Sequence, residues 1–210
     1  MRVLMVNKFY RPFGGTERHV RELTQLLVSR GHEVVPFAMA DERNWPNPYT
    51  EYFVSPIDFL DRARRPPPWA VAERVIYSRQ ARDKIVRLSR AVQPDVAHLH
   101  NVYHHLSPSV IDGLHDQGIP VVMTLHDFKL LCPTYSLWVN GRICERCLHG
   151  RFYHCLLQRC AHGSWPGSLL NTLEAYVHRL TRIYDKVARF IAPSRFWREK
   201  HIEAGFPPER

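Results

Sequence analysis

Three short motifs place histidines or bare backbone where apolar runs of this chain end. Thr124-Leu125-His126-Asp127 closes the run that starts at Pro120. A histidine at a strand end can hydrogen-bond a substrate hydroxyl or a phosphate and can change protonation near neutrality, with Asp127 beside it to bias the proton. His98-Leu99-His100-Asn101 repeats the pattern, because strand alternation sends His98 and His100 to one face. Tyr103, His104 and His105 follow with further groups that suit sugar hydroxyls. Gly14-Gly15-Thr16-Glu17 stands between a strand and a helix. Paired glycines let the backbone approach an anion without a Cβ in the way, while free N–H groups and the helix dipole supply partial positive charge. The loop is a phosphate cradle in chemistry, yet it is neither G-x-G-x-x-G nor a P-loop, which disfavours a dehydrogenase or a nucleotide hydrolase. Each motif also has a plain reading: a tight turn for the glycines, a structural hydrogen bond for a strand-end histidine, a polar loop for the histidine-rich stretch. Convergence in space decides between them.

A fourth constellation is Cys144-x2-Cys147-x7-Cys155-x4-Cys160, with Cys132, His149, His154 and His162 near it. Four thiolates on one loop could close a structural zinc site and order a segment with little core of its own. Plain thiols in a loop over a cleft remain the alternative, since only one C-x2-C is present. The apolar run Val3 to Val6 is too short for a signal segment or a membrane span, so a cytoplasmic protein with reduced thiols is expected.

The elements that must position these residues alternate. Strands are predicted at Val3 to Val6, Glu33 to Ala38, Asp95 to His100, Pro120 to Leu125 and Ala188 to Pro193. Helices are predicted over Thr16 to Arg30, closed by Gly31, then over Ala70 to Val92, Pro108 to Asp116 and Arg195 to Ala204, the last capped by Ser194. A further helix face runs from Leu169 to Val187, with Arg179, Arg182 and Lys186 beside it. Asn44 to Pro68 carries six prolines and reads as a surface excursion with a short strand around Tyr52 to Val54. Residues 128–165 break the pattern and read as a Cys-rich loop insertion. Nearly continuous apolar strands alternating with helices predict an α/β, Rossmann-like, doubly wound parallel sheet. Ligands bind such sheets at the carboxyl ends of the strands, so 7–17, 100–105 and 126–129 should converge on one rim.

With 45% hydrophobic residues over 210 positions the chain can bury a core, which excludes wholesale disorder. A formal charge of +9 favours anionic partners such as phosphates, nucleic acid or an acidic membrane, or reflects a basic surface with no specific partner.

The stretches FYRPFGGTERHVRELTQLLVSRGHEV, DVAHLHN, PVVMTLHDFKLLCP and IAPSRFWREKHIEAGFP, in that order, resemble the GT-B retaining glycosyltransferases of family 4. The resemblance spans nearly the whole chain. It implies an N-terminal, acceptor-side domain that faces a second Rossmann-like domain holding a nucleotide-diphosphate sugar. By position, Gly14, Gly15 and Thr16 match the loop against the donor diphosphate, and His126 matches the catalytic histidine that reaches the transferred sugar. Glu17, His100, Asn101, Tyr103, Asp127 and Lys129 are then expected on the acceptor side of the rim, the acceptor being a saccharide or a lipid-linked sugar. No cofactor is required for catalysis in the family, so a zinc on Cys144, Cys147, Cys155 and Cys160 would be structural. The family's donor domain would begin just after Phe206-Pro207-Pro208, so this chain is expected to supply only the acceptor-side half and to catalyse little alone. The basic edge of the Leu169 to Val187 helix suggests peripheral contact with the inner face of an anionic membrane. Two rival functions are a basic nucleic-acid- or metal-binding module, which is disfavoured, and a glycoside hydrolase, for which the rim offers few paired carboxylates.

Overall fold

The structure is a computed structural model and describes residues 1–57 and 66–210. Its centre is strand β1 (Arg2–Val6), which pairs in parallel with β2 (Glu33–Phe37) on one side and β3 (Val96–Leu99) on the other. Strands β4 (Val121–Thr124) and β7 (Arg189–Ile191) extend the sheet, giving the order β2-β1-β3-β4-β7. A two-stranded antiparallel hairpin, β5 (Trp138–Val139) with β6 (Arg142–Ile143), lies apart from it. Pro36 is accommodated because β2 is an edge strand with one side free of ladder hydrogen bonds.

Parallel strands need both faces covered, and the apolar runs show why they are so continuous. Helix α1 (Gly15–Ser29) lays Val20, Leu23 and Leu27 against Val3 and Met5 on one face. On the other, α3 (Arg79–Val92) and α4 (Ser109–His115) bring Ile85, Leu88, Ile111 and Leu114 onto Leu4, Val6, Ala97 and Leu99. The last two helices touch closely at Gly113, where a Cβ would stand 3.1 Å from methyls of both Ile85 and Val86. Gly31 adopts a left-handed φ of 79° just past α1, the stop expected there.

Several boundaries differ from the prediction. The helix expected over Ala70 to Val92 is two helices, α2 (Pro68–Tyr77) and α3, because Ser78 leaves helical geometry between them. The Ser78 N–H donates to Ser107 Oγ, the Ser109 hydroxyl donates to its carbonyl, and its own hydroxyl accepts from Ala81 N to cap α3. The strand expected near Tyr52 is a 3₁₀ turn over Thr50–Tyr52, followed by a single bridge between Met39 and Val54. Part of the proline-rich excursion, at 58–65, lies outside the described residues.

The helix expected over Leu169 to Val187 starts earlier and ends earlier, as α6 (Trp165–Leu180), with a 3₁₀ turn over Ile183–Lys186 after a left-handed Arg182. Within α6 the polarity differs from the reading, whereas Ile183 and Val187 beyond it are buried as expected. Ser168, Thr172, Glu174 and His178 face inward, while Leu169 (44%), Leu173 (47%) and Leu180 (79%) remain exposed. The inward face is polar because it meets charged and hydrogen-bonding groups of the site rather than the sheet.

The insertion is more than a loop. It contains β5, β6 and a short α5 (Tyr153–Leu157). Leu131, Cys132, Leu137 and Leu148 form one small core against Phe128 and Phe206, and Cys147, Phe152 and Cys155 form another against Ala175 and Tyr176 of α6. Helix α7 (Arg195–Glu203) begins at Ser194, whose hydroxyl accepts from Trp197 N as predicted. Among the described residues no helix is long and apolar enough to cross a membrane.

Candidate functional site

The three predicted segments do meet at the carboxyl ends of β1, β3 and β4. Asn7, one residue past β1, organises the junction: its amide donates to Phe9 O (2.9 Å) and Glu17 Oε1 (3.0 Å), and its Oδ1 accepts from Asn101 N (3.1 Å). Asn101 Nδ2 donates to the Thr16 hydroxyl (3.2 Å), so the first turn of α1 is clamped to the end of β3. No side chain caps α1, whose N-cap is Gly14, and its first free N–H groups are left for a ligand or water. A Cβ built on Gly15 meets nothing within 4 Å, and both glycines are exposed. The backbone here is open to an anion, as the glycine pair predicts.

Beside this loop stands a cluster of imidazoles. The rings of His98 and His100 are 4.3 Å apart, on one face of β3 as alternation requires. His100 Nδ1 lies 2.8 Å from His126 Nε2, and His100 Nε2 lies 3.1 Å from Met5 Sδ. Sulfur only accepts here, so the proton of His100 belongs on Nε2 and the His126 Nε2–H donates to the His100 Nδ1 lone pair. His19, on the second turn of α1, adds a third ring at 5.6 Å from His100 and 5.3 Å from His126. Burial, with the neighbouring imidazoles adding, lowers the pKa of His126 to about 4 and that of His100 to about 2. Both are neutral at physiological pH, and with its Nε2–H given to His100, His126 offers a ligand the lone pair of Nδ1 as an acceptor. Lys8 brings a cation to the same rim; burial lowers its pKa and the charges of Glu17 and Asp127 oppose that.

Several residues assigned to the acceptor turn inward instead. Glu17 is buried against Asn7, and Tyr103 is part of the sheet core. The Lys129 ammonium donates to Glu174 Oε2 (2.7 Å) and to Pro133 O (2.8 Å), with His104 Nε2 at 3.1 Å. Its side chain therefore braces the rim from below. His100 and Asn101 are buried as well, leaving Gly14, Gly15, Thr16, His126 and Asp127 as the predicted residues that reach the surface of the rim. Asp127 is partly buried, which raises its pKa, while its Oδ1 accepts from Lys129 N (2.9 Å). His19 and Glu174 were not singled out from the sequence. His19 had a signal, since it lies four residues past Gly15 and so one turn along the same helix face.

Residues 13–210 match glycosyltransferase family 4. The chain belongs to that family. No curated protein matches it. Among solved structures it is similar to a protein from Listeria monocytogenes assigned as a UDP-N-acetylglucosamine 2-epimerase, at 11% identity and a TM-score of 0.52, over 99% of this chain and 43% of that one. At that identity the likeness concerns the Rossmann-like fold of a GT-B half, and this family 4 chain spans less than half the length of its structural neighbour.

A cleft of about 930 Å³ opens between α2, the Cys-rich lobe and α6 of this family 4 domain, with His104 at its inner edge. Tyr135 and Trp138 offer aromatic faces in it, and Asn140, Gln158 and Asn171 offer amides. The expected thiolate ligands gather in the lobe, where Cys147 feels Cys132, Cys155, Cys160 and Cys144, but not at ligand spacing. Among the described residues the three ligating side chains whose donor atoms lie within 4.8 Å of one another are His19, His100 and His126, not Cys144, Cys147, Cys155 and Cys160. The physical reason is that Cys147 and Cys155 are used as apolar packing around Phe152. Burial raises the pKa of both thiols and that of Cys160, the latter to about 12.

Proposed function

We propose that this domain is the acceptor-side half of a retaining glycosyltransferase that moves a sugar from a nucleotide-diphosphate donor to a saccharide or lipid-linked acceptor. The observation that carries this reading is the open Gly14-Gly15 backbone at an uncapped helix N-terminus, set beside a neutral, partly exposed His126. Developing negative charge on the leaving diphosphate would be met by the amides of α1, as preorganised dipoles that need no rearrangement during the reaction. The free Nδ1 of His126 would accept from a hydroxyl of the transferred sugar and hold it in register with the acceptor. No step of this reading is assigned to a metal. The acceptor would lie in the cleft of Tyr135, Trp138 and Asn171, where aromatic faces and amides suit a saccharide. A donor-binding domain of the family kind would supply the rest of the donor site.

Two features support contact with an anionic membrane surface. Leu169, Leu173 and Leu180 are exposed on α6, and Arg179 and Arg182 stand beside its end. Nucleic acid is a poorer partner, since the rim sets neutral imidazoles and the carboxyl of Asp127 beside the cation of Lys8. The test is to join the domain to a family donor domain and offer a panel of nucleotide sugars and saccharide acceptors. Nucleoside diphosphate released only with an acceptor, with the product keeping the donor's anomeric configuration, is expected. An inverted product, or no release from a folded protein with any donor, overturns the reading.

A further inference from the structure

We infer that His19, His100 and His126 form a binding site for a divalent transition-metal cation, with Zn²⁺ the best match. Each ring offers one nitrogen, and the three lie within 4.8 Å of one another. They come from α1, the end of β3 and the end of β4, so chain proximity does not explain their convergence. Three imidazoles around a tetrahedral Zn²⁺ at the usual Zn–N distance place their ring centroids about 5 Å apart and their nitrogens about 3.3 Å apart. The centroids here are separated by 5.1, 5.3 and 5.6 Å, close to that arrangement already.

The hydrogen bonding favours ligation too. His100 Nε2 is committed to Met5 Sδ, which fixes the tautomer and turns the Nδ1 lone pair toward His126 and His19. A cation would replace the 2.8 Å contact between His100 Nδ1 and His126 Nε2, requiring the two nitrogens to part by about 0.5 Å to reach the tetrahedral spacing. His19 is exposed, so its ring can rotate to complete the set at little cost to packing. Three protein ligands leave a fourth position for water or an anion. Neutral nitrogen ligands select Zn²⁺, Cu²⁺, Ni²⁺ or Co²⁺ over Mg²⁺ and Ca²⁺. The inference stands on the three imidazoles and does not need the transferase reading, although both draw on His126.

The experiment uses the reduced, metal-stripped 210-residue chain. Titration with Co²⁺ is expected to give one equivalent bound, with visible bands of nitrogen and oxygen ligation, and Zn²⁺ is expected to compete for it and to raise the melting temperature. His19→Ala, at an exposed position, should keep its metal-free melting temperature and lose at least about tenfold in Co²⁺ affinity, no less than the loss of an outer-shell partner costs. His126→Gln should behave alike, and the double change Cys144→Ser with Cys147→Ser should leave binding unchanged. Absence of Co²⁺ binding, binding that survives His19→Ala, or an intense thiolate-to-cobalt band abolished by the cysteine changes would each overturn the inference, the last by putting the metal on the lobe.

Discussion

The Lys129 ammonium and the Glu174 carboxylate meet at 2.7 Å with side chains 4% and 0% exposed, tying the loop after β4 to the inward face of α6. Burial opposes ionisation of Glu174, yet the Lys129 ammonium, with His104 adding, outweighs it and holds its pKa at about 2. The pair is thus an ion pair in the interior, and its two halves are unequal to remove singly and together.

Glu174→Leu and Lys129→Met should each destabilise the fold by about 3 to 5 kcal/mol, since each leaves one uncompensated buried charge. The double variant should cost much less than the sum. Urea unfolding of the three proteins checks this, and additive losses would show that the two groups act independently.

In the completed enzyme, His126→Ala should lower turnover by roughly a hundredfold or more, the cost of one transition-state hydrogen bond. It should cost the fold only on the order of 1 kcal/mol, mainly because His100 Nδ1 loses its donor. Kinetics and melting curves on one preparation separate these effects. Near-normal turnover in a folded variant would make this histidine structural.

Two glycines should respond oppositely to the same change. Gly15→Val puts its side chain into open space, so stability should hold while donor affinity and catalysis fall as the backbone becomes shielded. Gly113→Val drives methyls into Ile85 and Val86 and should cost about 1 to 3 kcal/mol with no direct effect on the rim. Denaturation midpoints and donor titrations of both variants give the comparison; a Gly15→Val protein with full donor affinity would remove the phosphate role of the loop.

Acid should weaken the fold before ordinary carboxylates titrate. His98, His100, His105 and His126 are held below the usual imidazole value, at about 4, 2, 3 and 4, with burial the main cause in each. Between an unfolded value of about 6.5 and these folded values the unfolded chain binds more protons, so stability is full above about pH 6.5 and is lost as pH falls toward 4. Each such ring contributes at most about 1.4 kcal/mol per pH unit in that window. Glu174 adds a loss below its ordinary range, and Asp127, raised by burial, works the opposite way. A melting temperature that stays level from pH 7 to 5 would contradict neutral buried imidazoles.

Much of the fold is legible in the chain because its signals are local. The apolar runs at Val3 to Val6 and Pro120 to Leu125 are β strands wherever they pack, and Gly31 and Ser194 mark helix ends through their own backbone and hydroxyl. Rossmann-like topology follows from the alternation of such elements, and with it the rim that carries His126 and Gly15. Which way a rim residue faces is another matter, because it depends on groups far away in sequence. Glu17 turns in because Asn7 waits for it, and Lys129 because a carboxylate on α6 lies 45 positions later. With Ser168, Thr172 and His178 bonded to backbone at Ala161, Phe152 and Ile76, that pairing lets α6 bury polar residues and expose leucines. Ser78 breaks a helix whose pattern runs straight through it, since Ser107 and Ser109 offer its backbone better partners than another turn would. His19 joins His100 and His126 only when α1 folds back over the sheet, so a site divided among three elements is decided by tertiary packing and written in no single stretch of sequence.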